Sequence, residues 1–247
     1  MTDRIDRRRL LDLGIAGAAL AVASCATSAD AELPPKTPAA PRLGLLAAPV
    51  EKAIVVLPWS PASLPGLSER LLTEHHDKNY ATAVKKLNEV RSRLAAADPD
   101  KAGGYWSEYG TLKAAEATAR NSALLHELYF ANIGGGVVAP SASLATALAA
   151  RFGSLERMEK LVRGAAMATN GWVVVAIDRS SMTIEIVQTD GHAGGAWNAD
   201  ALLVLDMFEH AYAIDYGPNK GPYLDAFFKN LAWTEVARRF EAVLARG

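Results

Sequence analysis

Cysteine is almost missing from this chain of 247 residues, which has Cys25 and no other. A single cysteine excludes an intrachain disulfide and any zinc or iron–sulfur site built from several thiolates. An excess of either charge is also missing, because 26 basic and 27 acidic residues leave a formal net charge of −1. The chain lacks the basic surplus of a nucleic-acid-binding protein, so we expect no nucleic-acid partner. With 50% hydrophobic and 21% charged residues, it has enough apolar side chains for a folded core.

The apolar run near the N-terminus, residues 13–24, is too short to span a bilayer as a helix, which takes roughly 20 residues. It follows the basic segment DRRRLL, and this order is typical of an export signal. The pair Arg7-Arg8 resembles a twin-arginine signal. We therefore predict an export signal at residues 1–31, a proline- and alanine-rich tether at residues 32–53, and a periplasmic location.

Two endings of the export signal stay open. Residues 29–31 (ADA) have the small-x-small pattern of a cleavage site, and cleavage there would release a soluble protein. Residues 22–25 (VASC) resemble a lipobox, which would make Cys25 a lipidated N-terminus. The sequence therefore predicts a periplasmic protein that is either soluble or lipid-anchored.

Helical periodicity covers residues 67–97 and 112–132, with proline and glycine breakers between the two stretches. Two long helices joined by a loop form an antiparallel hairpin. We place this helical hairpin in a domain at residues 54–140.

The pattern changes along the rest of the chain. Two shorter helices are predicted at residues 141–152 and 154–168, each with a serine as its N-cap. Three β-branched or apolar runs follow, and the chain ends in helical segments, the last with Thr234 as its N-cap. These runs lie at residues 172–177, 183–187 and 201–205, and the helical segments at 207–212, 223–228 and 234–244. The order predicts an α+β fold, in which a domain at residues 141–247 has a small three-stranded antiparallel sheet flanked by helices.

Four polar residues lie in apolar segments, where a buried polar group needs a partner. Asp206 and His210 are four residues apart in LDMFEHAY, so on a helix they would share one face. His126 lies in SALLHELYF, and His75 shares the face of Leu72 on the first long helix. Imidazole and carboxylate without thiolate fit iron, manganese or zinc. Two plainer interpretations stay open, namely Asp206 as a helix N-cap and the histidines as hydrogen-bonded core residues.

Several segments together resemble the iron/manganese superoxide dismutase family, in unchanged order over residues 55–240. They include EHHDKNYATAVKKLNEV from Glu74, HELYFANIGGG from His126 and the signature DMFEHAY from Asp206. LPWSPASLPGLS, FGSLERMEKLVRGAA and NGW are similar to the family as well. The resemblance implies an enzyme that converts superoxide to oxygen and hydrogen peroxide by alternate reduction and oxidation of one iron or manganese ion.

By position, the resemblance implies that His75, His126, Asp206 and His210 are the metal ligands, with a solvent molecule as the fifth. It also implies a homodimer, in which Glu209 reaches the ligand histidine, His210, of the partner subunit. The positions that form the family's hydrophobic shell around the metal are occupied by Trp172 and Phe208.

The sequence departs from the family at the residues around the metal. The family commonly has a histidine four residues and a tyrosine eight residues after the first ligand, which gate substrate and relay protons. Asn79 and Ala83 stand there, and Tyr80 is the nearest phenol. The glutamine that hydrogen-bonds the solvent ligand is missing from both of its usual places, which hold Ser122 and His192. We assign His192 as the solvent's partner, the alternative being an exposed loop histidine, and Tyr80 and Asn79 are further candidate catalytic residues. The sequence does not distinguish iron from manganese.

The predicted function is therefore superoxide dismutation, with superoxide as a small anionic substrate. Three alternatives stay open: a metal-binding member of the family with weak or no dismutase activity, different redox chemistry such as that of an oxygenase, and an exported structural module without metal. Basic side chains near the first helix could attract the substrate, or each could simply belong to a solvated helix face. They are Lys78, Lys85, Lys86 and Arg91.

Overall fold

The computed structural model describes residues 51–104, 106–136 and 138–246. The predicted export signal, with its arginine pair and Cys25, lies outside the described residues, as does the predicted tether up to residue 50. Within the described part of the chain, no helix is long and apolar enough to cross a membrane.

The N-terminal half contains two long helical segments. Helix α1 (Glu69–Glu74) continues through a π-helical turn (His75–Tyr80) into α2 (Ala81–Ala96), and α3 (Glu108–Ala131) follows after a loop. The sequence predicted one regular helix over the first segment. A π turn accommodates an extra residue in the helix and often occurs at functional sites. The apolar periodicity tolerates one inserted residue, so the pattern did not reveal the turn.

Helices α2 and α3 form the predicted antiparallel hairpin. Tyr80, just before α2, bonds to Glu127 near the end of α3, whereas Arg93 near the end of α2 pairs with Glu108 at the start of α3. Contacts between opposite ends of the two helices define an antiparallel pair.

The next two helices begin at the predicted serine N-caps. Ser141 precedes α4 (Ala142–Phe152), and Ser154 precedes α5 (Leu155–Ala168). In both cases the serine hydroxyl accepts a hydrogen bond from the backbone N–H three residues further on. The side chain thereby satisfies one of the free donors at the helix start.

Three strands form the predicted antiparallel sheet, in the order β2-β1-β3. They are β1 (Trp172–Asp178), β2 (Thr183–Thr189) and β3 (Ala199–Asp206). Trp172, at the start of β1, pairs with Asp206, at the end of β3. The α+β class predicted from the sequence is thus the one observed.

The segment after β3 differs from the prediction that one helix carries Asp206 and His210. Asp206 is the last residue of β3, and His210 lies in a 3-10 turn (Glu209–Ala211). Asp206 stays extended because it pairs with Trp172 in the sheet. Its Oδ1 accepts the backbone N–H of Phe208 at 2.9 Å, which starts the turn.

The start of the last helix also differs from the prediction. Thr234 lies inside that helix, and Ala232 occupies the N-cap position. The backbone N–H of Ala232 donates to the carbonyl of Asn132 at 2.8 Å, and this bond sets the path of the chain into the helix. The helices after the turn are α6 (Ala213–Tyr216), α7 (Lys220–Lys229) and α8 (Trp233–Leu244).

One hydrophobic core runs through both halves of the described chain. Leu72 and Ala123 of the hairpin belong to the same cluster of buried side chains as Leu144 and Val204. The predicted boundary at residue 140 therefore does not separate two cores.

The last residues of the predicted tether are docked on the helices. The backbone N–H of Lys52 donates to Asn88 Oδ1, and Asn88 Nδ2 donates to the carbonyl of Lys52, each at 2.9 Å. The docked part thus begins before the predicted boundary at residue 53. These bonds use the backbone of the docked segment, so its side-chain composition did not show them.

Candidate metal centre

Four of the side chains singled out in the sequence meet in the interior. His75 comes from the π turn, His126 from α3, Asp206 from the end of β3 and His210 from the 3-10 turn. One possible ligand atom from each residue lies within 4.8 Å of the others. The side chains of the first three are buried, and that of His210 is 24% exposed. Elements far apart in the sequence therefore converge on one point.

Packing of α3 and α7 against the sheet brings these elements together. Asn132, just after α3, accepts the backbone N–H of Val204 at 2.6 Å through its Oδ1. Tyr223 of α7 donates to the carbonyl of Asp206 at 2.7 Å. The π turn is held from the other side, where the His75 ring packs against the aromatic side chains near the end of α3.

The carboxylate of Asp206 lies at the centre of the group. Its Oδ2 is 3.1 Å from His75 Nε2, 3.2 Å from His210 Nε2 and 3.6 Å from His126 Nε2. Burial raises the pKa of Asp206, but hydrogen bonds from His210 and His75 outweigh burial and hold that pKa below its usual value. A carboxylate anion therefore faces three imidazole nitrogens.

The orientation of His126 shows why this group suits a cation. Its Nδ1–H donates to the carbonyl of Ser122 at 2.7 Å, so the neutral ring has its lone pair at Nε2. Burial lowers the pKa of His126 to about 3, which keeps the ring neutral near pH 7. The Nε2 atom of His126 lies 3.6 Å from Asp206 Oδ2 and 3.4 Å from His210 Nε2, and a positive ion between the His126 lone pair and the carboxylate would replace the repulsion of two acceptors by attraction. Three imidazoles and one carboxylate are a donor set that fits iron or manganese.

A cavity of about 460 Å³ borders this group. It lies between α2 and α3, whose facing side chains are small, and its inner wall is made by His126, His210 and the rings of His192 and Phe208. The small or polar residues that line it from the π turn and the two helices are Asn79, Thr82, Ala83, Ala115, Thr118, Ala119 and Ser122. A small anion such as superoxide has room to reach the histidines through it.

His192 lies in the wall of this cavity with a defined tautomer. Trp172 Nε1 donates to His192 Nδ1 at 3.0 Å, so the proton of the neutral ring is on Nε2. Burial lowers the pKa of His192, and its ring stacks on Phe208 with centroids 4.5 Å apart. His192 therefore presents a neutral N–H donor near the proposed metal. Trp172, expected only as part of a hydrophobic shell, sets this tautomer.

The structure places the side chains of the neighbours Asn79 and Tyr80 in different surroundings. Asn79 lines the cavity, whereas the Tyr80 hydroxyl donates to Glu127 Oε1 at 2.7 Å and accepts the backbone N–H of Val55 at 2.8 Å. Burial raises the pKa of Tyr80. Tyr80 lines a second pocket of about 190 Å³ and not the cavity beside the histidines. Its hydroxyl is thus committed to partners other than a substrate in that cavity.

Sequence reasoning missed Glu127. It lies directly after His126 and, through Tyr80, contacts the π turn that carries His75. The signal in the sequence is a second polar residue, a charged one, beside the histidine of the apolar segment SALLHELYF.

The remaining charged candidates occupy different places. Lys86 lines the cavity, although its Nζ also pairs with Glu89 at 2.8 Å, and Lys78 pairs with Glu74. Arg91 pairs with Glu116 of α3 at 3.7 Å. Other charged candidates are exposed, namely Lys85 and Glu209.

Comparison with known proteins identifies this kind of centre. Residues 140–239 match the family model for the C-terminal domain of iron/manganese superoxide dismutases. The chain is 36% identical to superoxide dismutase [Fe] of Aquifex pyrophilus over 191 residues, which are 74% of this chain and 89% of the relative. It is 37% identical to superoxide dismutase [Fe] of Cupriavidus metallidurans over 187 residues, 74% of this chain and 93% of the relative.

A manganese protein is similar to nearly the same extent. Superoxide dismutase [Mn] 1 of Halobacterium salinarum is 36% identical over 185 residues, 74% of this chain and 90% of the relative. The fold and the buried site define a protein with a single metal ion held by histidine and aspartate. The chain belongs to the iron/manganese superoxide dismutase family. Its cofactor is one ion of iron or manganese per subunit.

Proposed function

We propose that this protein converts superoxide to oxygen and hydrogen peroxide at a metal held by His75, His126, Asp206 and His210. The observation that carries the proposal is the convergence of these four groups, with the His126 lone pair aimed at the Asp206 carboxylate. When bound, iron or manganese supplies one-electron redox chemistry, which alternate oxidation and reduction of superoxide requires.

The chain's own residues then have separate tasks. Asp206 provides the negative charge of the ligand set, and the Ser122 carbonyl fixes the tautomer of His126. With its proton on Nε2, His192 would donate a hydrogen bond to a solvent ligand of the bound metal and so influence the protonation of that solvent. Lys86 at the cavity attracts the anionic substrate.

A metal-binding protein with weak dismutase activity is the second candidate. Among the described residues that line the cavity, the titratable groups are His126, His192, His210 and Lys86. Asn79 and Ala83 supply no acid there, and Tyr80 is bonded elsewhere. A full complement of metal with low turnover would favour this second candidate.

The test compares protein as purified, protein stripped by a chelator, and protein reloaded with iron or manganese. We expect close to one metal ion per chain, superoxide consumption that is lost on stripping, and recovery with one of the two metals. Equal consumption by stripped and loaded protein would exclude the proposal.

A homodimer is part of the proposal. Glu209 is exposed and adjoins His210, whose side chain is 24% exposed, so both groups are open to a second subunit. We expect Glu209 to meet His210 of the partner subunit. Analytical ultracentrifugation should show a dimer that Glu209→Ala weakens and Glu185→Ala, an exchange on strand β2, does not. A monomer at micromolar concentration with metal bound would contradict this arrangement.

Export to the periplasm is also proposed, on the sequence of residues 1–31. Replacing Arg7 and Arg8 together by lysine should stop export, because a receptor that reads the guanidinium pair loses it while the charge is kept. Cys25→Ser should release the protein from the membrane fraction if Cys25 is lipidated and should change nothing if cleavage follows Ala31. Unchanged export of the double lysine variant would count against the twin-arginine route.

A further inference from the structure

Residues 52–57, here called the strap, lie against the outside of the helical hairpin without regular secondary structure. Val55 is 55% exposed and Val56 80% exposed, and Leu57 packs partly buried against the core. Around Val55 the strap is held by hydrogen bonds to its backbone. The Val55 N–H donates to the Tyr80 hydroxyl, and the Val55 carbonyl accepts from His76 Nε2, both at 2.8 Å.

Both groups that bind Val55 belong to the π turn that carries His75. The same turn is bonded to α3, since the Tyr80 hydroxyl donates to Glu127 Oε1 at 2.7 Å. The strap reinforces this bond, because Lys52 Nζ lies 2.8 Å from the same Glu127 oxygen. Tyr80 and Glu127 therefore join the two helical segments that carry the first two proposed ligands.

We propose that Tyr80 and Glu127 are positioning residues for the metal, and that the strap keeps their bond in place. Glu127 is the neighbour of His126, and Tyr80 lies in the same turn as His75, so their bond sets the separation and rotation of the two imidazoles. Groups that orient metal ligands typically change metal affinity or activity about 10–100-fold when they are removed. The inference rests on the proposed function, because it takes His75 and His126 as ligands.

A purely stabilising role is the competing explanation, and it applies above all to the Tyr80–Glu127 bond, because the Tyr80 side chain is buried. The Lys52 and Glu127 side chains are 28% and 19% exposed, and pairs that solvent reaches contribute little net stability. The chain offers a matched comparison at the far end of the hairpin. There Glu116 of α3 pairs with Arg91 of α2 at 3.7 Å, with 22% and 25% exposure, and with Lys113 of its own helix at 2.6 Å.

The experiment measures how fast the metal-loaded protein releases its ion to an excess of chelator, well below the unfolding temperature. The variants are Glu127→Ala, Tyr80→Phe, their combination, and Glu116→Ala as the control. We expect Glu127→Ala and Tyr80→Phe each to release metal about tenfold faster than the parent, the low end for groups that orient ligands. The combination should add little, because both variants break the same bond. The release rate of Glu116→Ala should stay within about twofold of the parent's, because an ion pair that solvent can reach contributes little to stability.

The unfolding temperature of the metal-free protein is the second measurement. If Glu127→Ala and Glu116→Ala lower it equally while only the former speeds metal release, the positioning role holds. Release rates that match the control, or that change only in proportion to lowered stability, would overturn it. If the parent protein takes up neither iron nor manganese, the proposed function fails and this inference fails with it. If the parent is fully loaded and Glu127→Ala releases its metal at the parent's rate, only the positioning role is overturned.

Discussion

The metal centre and the cavity beside it are formed by different kinds of side chain. The centre is buried, and its groups are fixed by hydrogen bonds, such as that from His126 to the Ser122 carbonyl. On its helical side the cavity is lined mostly by small side chains of α2 and α3, and Asn79 of the π turn makes no side-chain hydrogen bond to the rest of the described chain. We infer that the fold determines whether a metal binds, whereas a few cavity residues determine the rate of turnover.

We expect the largest effect on metal binding from removing the carboxylate at the middle of the metal centre. Asp206→Ala takes away the one anionic ligand and leaves three imidazoles, two of them buried, without their carboxylate partner, so we expect loss of essentially all bound metal and a lower unfolding temperature. Elemental analysis and thermal unfolding check both effects. Asp200→Ala is the control, since Asp200 lies in the same strand but pairs with Arg179. A stoichiometric metal content in Asp206→Ala would refute the ligand assignment.

Changing His192 should alter turnover and spare metal binding. His192→Ala removes a donor that orients the metal's solvent ligand, so activity should fall about 10–100-fold at unchanged metal content. His192→Gln should retain more activity, because its amide restores a donor at the same backbone position. The pH profile and metal content of both variants check this. Identical rates in the parent and both variants would show that His192 is only part of the cavity wall.

We expect the smallest effect on metal binding from a substitution that fills part of the cavity. Ala83→Tyr places a phenol at the position where the family commonly has one. We expect unchanged metal content and a higher turnover, by up to about 100-fold, the low end of what a positioned general acid contributes. Ala83→Phe supplies the same ring without the hydroxyl and should not raise turnover. Equal rates in both variants would mean that the missing phenol does not limit the reaction.

Much of the fold was predictable because its elements have strong local signals. Ser141 and Ser154 were identified as N-caps from the sequence and cap their helices in the structure. The π turn at His75–Tyr80 was not predicted, because one inserted residue scarcely changes the apolar spacing. The N-cap of the last helix was predicted at Thr234 and lies two residues earlier, at Ala232, because a bond between Ala232 and the distant Asn132 sets that helix start.

The site was predictable from the sequence where residue types carry the chemistry. His75, His126, Asp206 and His210 were selected as polar groups in apolar segments and by the family motifs, although Asp206 was expected on a helix and ends a strand. The partners of Tyr80 were not predictable, since Val55 and Glu127 approach it from 25 and 47 residues away. Contacts of this kind depend on tertiary packing and leave no local pattern.

The central claim is that these four side chains hold one redox metal, and anomalous X-ray diffraction tests it most directly. Crystals of the purified protein would be measured on both sides of the iron and manganese absorption edges. We predict one anomalous peak per chain, at bonding distance from the Nε2 atoms of His75, His126 and His210 and from Asp206 Oδ2. Fully loaded protein with no peak there, or with its peak at other residues, would contradict the account.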